Sequence, residues 1–157
     1  MTGGNQVIPP GLNGFVIGTS NMAFYWDGIV SLDDGSGNDI LNGGPGGDSL
    51  LGGTGIDQAD YSSSGAGLVV DLLTTGTNTG EAAGDVFSSI ENLSGTDFND
   101  VLRGDNGPNV FDGLAGNDLL RGRGGDEVLN GGADNDTLVG DVGADEHNGG
   151  AGTDRAS

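Results

Sequence analysis

The chain has 157 residues, a length typical of one domain, but only 33% of them are hydrophobic and 35 are glycine, which is little material for a conventional core. Its 24 acidic and 4 basic residues give a formal charge of −20, which argues against nucleic-acid binding and opposes compaction unless cations neutralise it. The absence of cysteine excludes disulfides, thiolate metal sites and a cysteine nucleophile. No apolar run is long enough to span a bilayer, and the N-terminus lacks the pattern of a secretory signal.

Residues 1–33 form a segment of different composition from the rest. They hold four of the eight aromatic residues of the chain, namely Phe15, Phe24, Tyr25 and Trp26. An aromatic cluster of this size favours burial, and we predict an N-terminal cap or association segment. The alternative is a surface that binds a ligand or a partner.

Residues 34–60 contain three consecutive copies of a nonapeptide. Its pattern is G-G-x-G-x-D-x-U-x, where U is a large apolar residue, and Asp39, Asp48 and Asp57 stand at the sixth place. Glycine-rich turns adopt positive φ angles that other residues resist, and their carbonyl groups can approach a cation. The last three residues of each copy predict a short strand whose central side chain points inward.

Residues 61–94 interrupt this frame, because the interval from Ala59 to Leu102 is not a multiple of nine. The run 68–73 and the segment 88–94 have strand-forming composition, whereas the stretch between them has the composition of a flexible loop. We interpret the whole segment as further strands of the same architecture with one irregular loop, and not as a second domain.

Residues 95–157 divide without remainder into seven further nonapeptides, each opened by glycine. Over both blocks the first place is glycine in nine of ten repeats, and the sixth place is aspartate in eight. Generic acidic disorder tends to be rich in glutamate, whereas this chain has twenty aspartates and four glutamates, so the phased carboxylates indicate ligands and not a solvated polyanion. Phe98 and Asp134 replace the fourth-place glycine, and we expect distorted turns there.

The repeat resembles the calcium-binding RTX (repeats-in-toxin) family, and the run from Ala59 to Leu93 resembles a segment found between RTX blocks. The resemblance implies an all-β fold, a right-handed parallel β-roll in which two nonapeptides complete one coil. Repeats n and n+2 then stack on the same side. It also implies Ca2+ between the stacked turns, held by carboxylate and backbone oxygens.

The candidate metal ligands are the sixth-place residues Asp39, Asp48, Asp57, Asp100, Asn109, Asp118, Glu127, Asp136, Asp145 and Asp154. With repeats n and n+2 stacked, one side of the second block carries four aspartates. The other side carries Asn109, which has no charge, and Glu127, which is one methylene too long, so we expect asymmetric calcium loading. In the first block Asp39 pairs with Asp57, and Asp48 has no downstream partner unless the middle segment provides one.

The sequence gives little support to an enzyme. The sole histidine, His147, stands at an inward-pointing eighth place, and no G-x-S-x-G, H-E-x-x-H or P-loop motif occurs. Carboxylates that recur every nine residues indicate an array of ligands and not a catalytic pair. Turn sites of modest affinity fill where calcium is millimolar, which favours an extracellular location. The resemblance to the RTX family implies a secreted bacterial protein, with the cell surface as a further possible location.

Two functional interpretations follow. One is a structural module that associates end to end into a homo-oligomer, fibre or surface layer. The other is the non-catalytic C-terminal secretion and folding module of a type I-secreted RTX enzyme or toxin. Met1 and the short length favour the first, whereas the missing secretion tail favours the second.

Overall fold

The computed structural model describes the backbone of residues 15–17, 22–23 and 31–33, and residues 35–157 in full. Within these ranges the chain is an all-β, parallel solenoid of about six turns, as the repeat predicts. The predicted cap side chains Phe24, Tyr25 and Trp26 lie outside the described residues. In chain order the strands are β1 (Phe15–Ile17), β2 (Met22–Ala23), β3 (Ser31–Asp33), β4 (Ile40–Asn42), β5 (Ser49–Leu51), β6 (Gln58–Asp60), β7 (Val69–Asp71), β8 (Val86–Ser88), β9 (Asn92–Ser94), β10 (Val101–Arg103), β11 (Val110–Ala115), β12 (Leu119–Gly124), β13 (Val128–Ala133), β14 (Thr137–Val142), β15 (Glu146–Ala151) and β16 (Arg155–Ala156).

Successive strands alternate between one long sheet and two shorter ones. The long sheet has seven strands in the order β15-β13-β11-β9-β6-β4-β2. The shorter sheets are β1-β3-β5-β8, with four strands, and β16-β14-β12-β10-β7, with five. Repeats n and n+2 pair in parallel, as predicted; Leu102 is aligned with Leu120, and Leu120 with Leu138.

The core is formed by one inward side chain from each of the strands β4 to β14. The eighth-place residues Leu102, Phe111, Leu120, Leu129 and Leu138 are at most 1% exposed, because each points inward while the residues directly before and after it face outward. Middle-segment side chains such as Tyr61, Val70 and Leu93 continue this column. The column is one side chain wide, so the apolar core alone is thin.

The middle segment contains one more strand than a regular coil. In the long sheet β6 pairs with β9, as though the chain had completed one turn. Between them, however, the chain first forms β7, which pairs with the later strand β10, and then returns to form β8 on the earlier strand β5. Two short 3₁₀ helices, Thr75–Thr77 and Gly80–Ala82, make the return. This reversal is the physical reason for the break in the nine-residue frame.

The turns explain the glycine positions. In eight of the ten repeats the second and fourth residues take positive φ angles, for example 90° at Gly53 and 146° at Gly55; the exceptions are the repeats opened by Gly95 and Gly104. Asp134, at a fourth place, keeps a positive φ of 77°, below the 111° to 157° of the positive-φ glycines at that place, and Phe98 lies in a repeat without positive φ, so both of these turns differ from the regular one. The two 3₁₀ helices are the helices of the described part of the chain, and neither is long and apolar enough to cross a membrane.

Candidate metal sites in the glycine-rich turns

The strand pairing gathers the sixth-place side chains into rows that run along the solenoid. We call first turn row the set that precedes the five-stranded sheet: Asp100, Asp118, Asp136 and Asp154. We call second turn row the set that precedes the long sheet: Asp39, Asp57, Glu91, Asn109, Glu127 and Asp145. Asp48 and Asp85 form a short third pair before β5 and β8.

One carboxylate oxygen of each aspartate in the first turn row joins two coils. Oδ1 of Asp118 accepts a hydrogen bond from the backbone N–H of Asp100 at 2.8 Å. Oδ1 of Asp136 accepts one from Asp118 at 2.9 Å, and Oδ1 of Asp154 accepts one from Asp136 at 3.0 Å. Every bond spans one coil, so the row is a continuous ladder beside the backbone pairing of the strands.

The second oxygen of these side chains lies in the turn. Oδ2 of Asp118 and Oδ2 of Asp136 are buried and have no hydrogen-bond partner, as is Oδ2 of Asp57 in the second turn row. A side chain at Gly131 would collide with Oδ2 of Asp136, so the first-place glycine leaves the room that this oxygen needs. Buried carboxylate oxygens without a donor are costly in a native fold and are suited to a cation.

Electrostatics point the same way. Burial raises the pKa of Asp118 to about 7, with the negative charges of Asp100, Asp136 and Asp134 adding to the shift. Burial also raises the pKa of Asp136 and that of Asp100. A cation in the turn would reverse this effect by favouring the ionised carboxylates.

The donor set fits a hard cation such as calcium. Carboxylate and backbone carbonyl oxygens are its usual ligands, and the turns supply both. Within the described ranges, no three His, Cys, Asp or Glu side chains converge on one point. An ion in these turns would draw on the carboxylate oxygens of the row and on backbone carbonyl oxygens.

Asp100 and the second turn row depart from this pattern. Both oxygens of Asp100 are engaged by Thr96, whose N–H donates to Oδ2 at 2.6 Å and whose hydroxyl donates to Oδ1 at 3.0 Å. Asn109 donates through Nδ2 to the carbonyl of Glu91 at 2.7 Å, which occupies a potential ligand. Glu127 is 1% exposed, neither of its carboxylate oxygens has a hydrogen-bond partner, and burial raises its pKa to about 7, with Asp145 and Asp126 adding to the shift.

The middle segment supplies the partner of Asp48 that the sequence left open. Oδ1 of Asp85 accepts the backbone N–H of Asp48 at 2.8 Å, and its Oδ2 accepts the hydroxyl of Tyr61 at 2.6 Å. Asp85 is fully buried, and burial raises its pKa to about 6. The signal for it was local: Asp85-Val86-Phe87-Ser88 has the D-x-U-x end of the repeat, although it lies outside the nine-residue frame.

Glu91 joins the second turn row in the same way. Its Oε2 accepts the backbone N–H of Asp57 at 2.9 Å. Glu91 stands at the sixth place when the second repeat frame is extended backwards by one copy, so the period could have identified it.

A second ladder, at the fifth place of the repeat, was also missed by sequence reasoning. Oδ1 of Asn99 accepts the N–H of Asn117 at 2.8 Å, Oδ1 of Asn117 accepts that of Asn135 at 3.1 Å, and Oδ1 of Asn135 accepts that of Thr153 at 2.9 Å. These bonds run in the opposite direction to those of the aspartate ladder. The recurrence of Asn-Asp pairs in the sequence was the available signal.

Comparison with known proteins agrees with this geometry. A family profile described as RTX calcium-binding nonapeptide repeat (4 copies) matches residues 31–59, 94–126 and 121–156, more than half of the chain. These ranges coincide with the two repeat blocks and leave the middle segment unmatched. No curated protein matches the chain.

Proposed function

We propose, because this chain belongs to the family of RTX calcium-binding nonapeptide repeats, that it is an extracellular structural module whose coils are fixed by calcium ions in the glycine-rich turns. One observation carries this proposal. In the first turn row each central aspartate uses Oδ1 to join two coils and keeps a buried, unpartnered Oδ2 in the turn. That arrangement is complete only when a cation is present.

The proposed ligands are the sixth-place side chains of the repeats. Asp118 and Asp136 are the strongest of these, since each lies between two charged neighbours in the first turn row. The full proposed set is Asp39, Asp48, Asp57, Asp100, Asn109, Asp118, Glu127, Asp136, Asp145 and Asp154. Glu91 and Asp85 join this set on the strength of their hydrogen bonds to neighbouring coils.

Bound calcium supplies positive charge between coils that otherwise repel one another. The chain carries a charge of −20, and its apolar core is one side chain wide, so folding without cations gains little and costs much. The aspartates hold the turns in position through their ladder, and the glycines give the cation access. Calcium-binding free energy is then folding free energy.

The test is a calcium titration followed by far-ultraviolet circular dichroism. In excess chelator the chain should lose most of its β signal, and millimolar calcium should restore it. Magnesium should substitute poorly, because its strict octahedral demand does not suit wide oxygen-lined turns. A chain that remains fully β-rich in chelator would contradict the proposal.

The proposed structural role includes pairing of the last coil with another polypeptide segment, either from a second copy or from a larger protein that contains this module. From residue 141 to residue 157, a fully described stretch, no residue is buried, so β15 and β16 carry an uncovered strand edge. Edges of open solenoids pair with additional chain. A second copy in that place gives a filament or surface layer, whereas a larger secreted protein around the module makes it a non-catalytic folding and secretion unit.

Light scattering and electron microscopy separate these two roles. Particles that grow when calcium is added, and that dissolve in chelator, support the filament. A strictly monomeric species at high protein concentration in millimolar calcium favours the secretion unit.

A further inference from the structure

Positive charge is scarce in this molecule and is concentrated at one corner. The chain has no lysine, and three of its four arginines lie on two paired strands: Arg103 ends β10, and Arg121 and Arg123 lie within β12. Arg123 stands at the second place of its repeat, which is glycine in five of the ten repeats, and it has φ 84°. A non-glycine residue resists this conformation, so its side chain is expected to contribute something in return.

The Arg123 guanidinium holds a buried carboxylate from another part of the chain. Its Nη1 donates to Oδ1 of Asp71 at 2.9 Å and its Nη2 donates to Oδ2 at 2.7 Å, a bidentate pair that joins residues 52 positions apart. Nη1 also donates to the carbonyl oxygen of Gly104. The side chain of Asp71 is 4% exposed, and the N–H groups of Leu73 and Thr74 donate to its Oδ1 at 3.0 and 2.8 Å.

These acceptors are the kind that calcium takes. A buried aspartate and a turn carbonyl from two different coils converge on the Arg123 guanidinium, as they would on a metal ion. The Arg103 guanidinium lies 3.9 Å from Oδ2 of Asp71, beyond hydrogen-bonding distance, and is more exposed. The turn that contains Arg123 leads into Glu127, and the turn that contains Gly104 leads into Asn109, so both belong to the second turn row. Asn109 brings no charge to that row, and its side chain binds the carbonyl of Glu91.

We propose that the Arg123 guanidinium is a built-in counter-ion, which takes at this corner the place that calcium has in the first turn row and attaches the middle segment to the second repeat block without a metal ion. Asp71 closes β7, which pairs with β10, so the attachment fixes the strand at which the reversed segment enters the five-stranded sheet. The proposal rests on calcium binding by the other turns.

A neighbouring pair provides a matched comparison. Arg121 binds Asp141 with Nε at 2.5 Å, but its side chain is 53% exposed and that of Asp141 is 26% exposed. The corresponding values are 24% for Arg123 and 4% for Asp71. An exposed pair contributes little, whereas loss of one partner of a buried pair leaves an uncompensated charge. Arg121→Ala therefore removes the same formal charge from the same corner without removing the counter-ion.

The experiment compares wild-type protein, Arg123→Ala and Arg121→Ala by amide hydrogen exchange in calcium just sufficient to fold the wild type, and by equilibrium dialysis against calcium. At that calcium concentration, the amides of Leu73 and Thr74 should exchange about tenfold faster in Arg123→Ala than in the wild type, while Arg121→Ala matches the wild type. Arg123→Ala should also bind one more calcium ion per chain, because the carboxylate and the carbonyl become available. Equal exchange in the two variants, or an unchanged calcium number in Arg123→Ala, would overturn the proposal.

The double variant Asp71→Asn/Arg123→Ala keeps the test decisive if Arg123→Ala alone does not fold. Asparagine retains an oxygen for the two backbone amides but has no charge to compensate. The double variant should fold like the wild type and bind the same number of calcium ions per chain. Failure of either expectation would count against the counter-ion role. Wild-type protein that shows no response to calcium would refute the proposed function instead, so the two failures are distinguishable.

Discussion

At the scale of single residues, the two oxygens of one carboxylate have different roles. Oδ1 of Asp118 joins coils and Oδ2 lies in the turn without a hydrogen-bond partner, so Asp118→Ala removes a proposed calcium ligand and leaves the buried N–H of Asp100 without an acceptor. An unsatisfied buried N–H alone costs about 1–3 kcal/mol. Asp145→Ala acts on a row already weakened by Asn109 and Glu127.

We therefore expect Asp118→Ala to raise the calcium concentration at the folding midpoint more than Asp145→Ala does. Because Asp118 lies between two coils, the shift should be about tenfold or more, as expected for a loss above 1.4 kcal/mol. Calcium titrations of both variants by circular dichroism measure it, with Asp118→Asn as the control that keeps an oxygen for Asp100. Equal midpoints for the two alanine variants would show that the rows are equivalent.

The raised carboxyl pKa values predict how pH acts on the calcium-free chain. The pKa is about 7 for Asp118 and Glu127 in the folded state, well above that of an unfolded carboxyl, so the folded state binds more protons between about pH 4 and 7. The free energy of unfolding then falls as pH rises through this window. In chelator, β signal should be greater at pH 5 than at pH 8, and calcium affinity should fall with acidification. A chelated chain that loses β signal on acidification would contradict this sign.

At the scale of strands and turns, the regular repeats were predictable and the middle segment was predictable only in part. A nine-residue period places Leu102, Leu120 and Asp118 correctly, because each copy repeats the same local turn and strand. The reversal of β7 and β8 cannot be read from a period in the sequence. It depends on contacts between residues far apart in the chain, such as Tyr61 with Asp85 and Asp71 with Arg123. Local composition predicts that strands exist there, but not their order in the sheets.

The Tyr61 hydroxyl is the contact in that segment most open to test. It donates to the fully buried carboxylate of Asp85, and hydrogen bonds to charged groups contribute about 1.5–3 kcal/mol. Tyr61→Phe should therefore raise the calcium midpoint for folding several-fold without changing the number of ions bound. Ser62→Ala, an exposed neighbour, is the control and should leave the midpoint unchanged. Identical midpoints for the two variants would remove this role for the hydroxyl.

At the scale of the whole molecule, we propose that two kinds of cation, calcium and a guanidinium, hold together a polyanion with a narrow core. Composition alone predicted that cations were needed, since a charge of −20 accompanies 33% hydrophobic residues. It did not predict that one of them is the protein's own guanidinium, because the Asp71 and Arg123 partners are 52 residues apart and neither belongs to the sixth-place pattern. Asn109 and Glu127 led us to expect that the second turn row binds less calcium than the first. This difference in calcium loading remains a prediction.

The split between the two shorter sheets also gives the molecule a mechanical seam. The long sheet runs unbroken from β2 to β15, whereas on the other side β8 ends one sheet and β7 begins the next. Tension along the solenoid axis is then carried at that level mainly by the pairing of β6 with β9. Stretched between its ends in an optical trap, the calcium-loaded protein should yield first at this level and lengthen in two steps, one for each repeat block, and a single step would contradict the seam. The gap between β8 and β7 would let the solenoid bend toward the long sheet. The molecule could then absorb strain without losing ions bound in its turns.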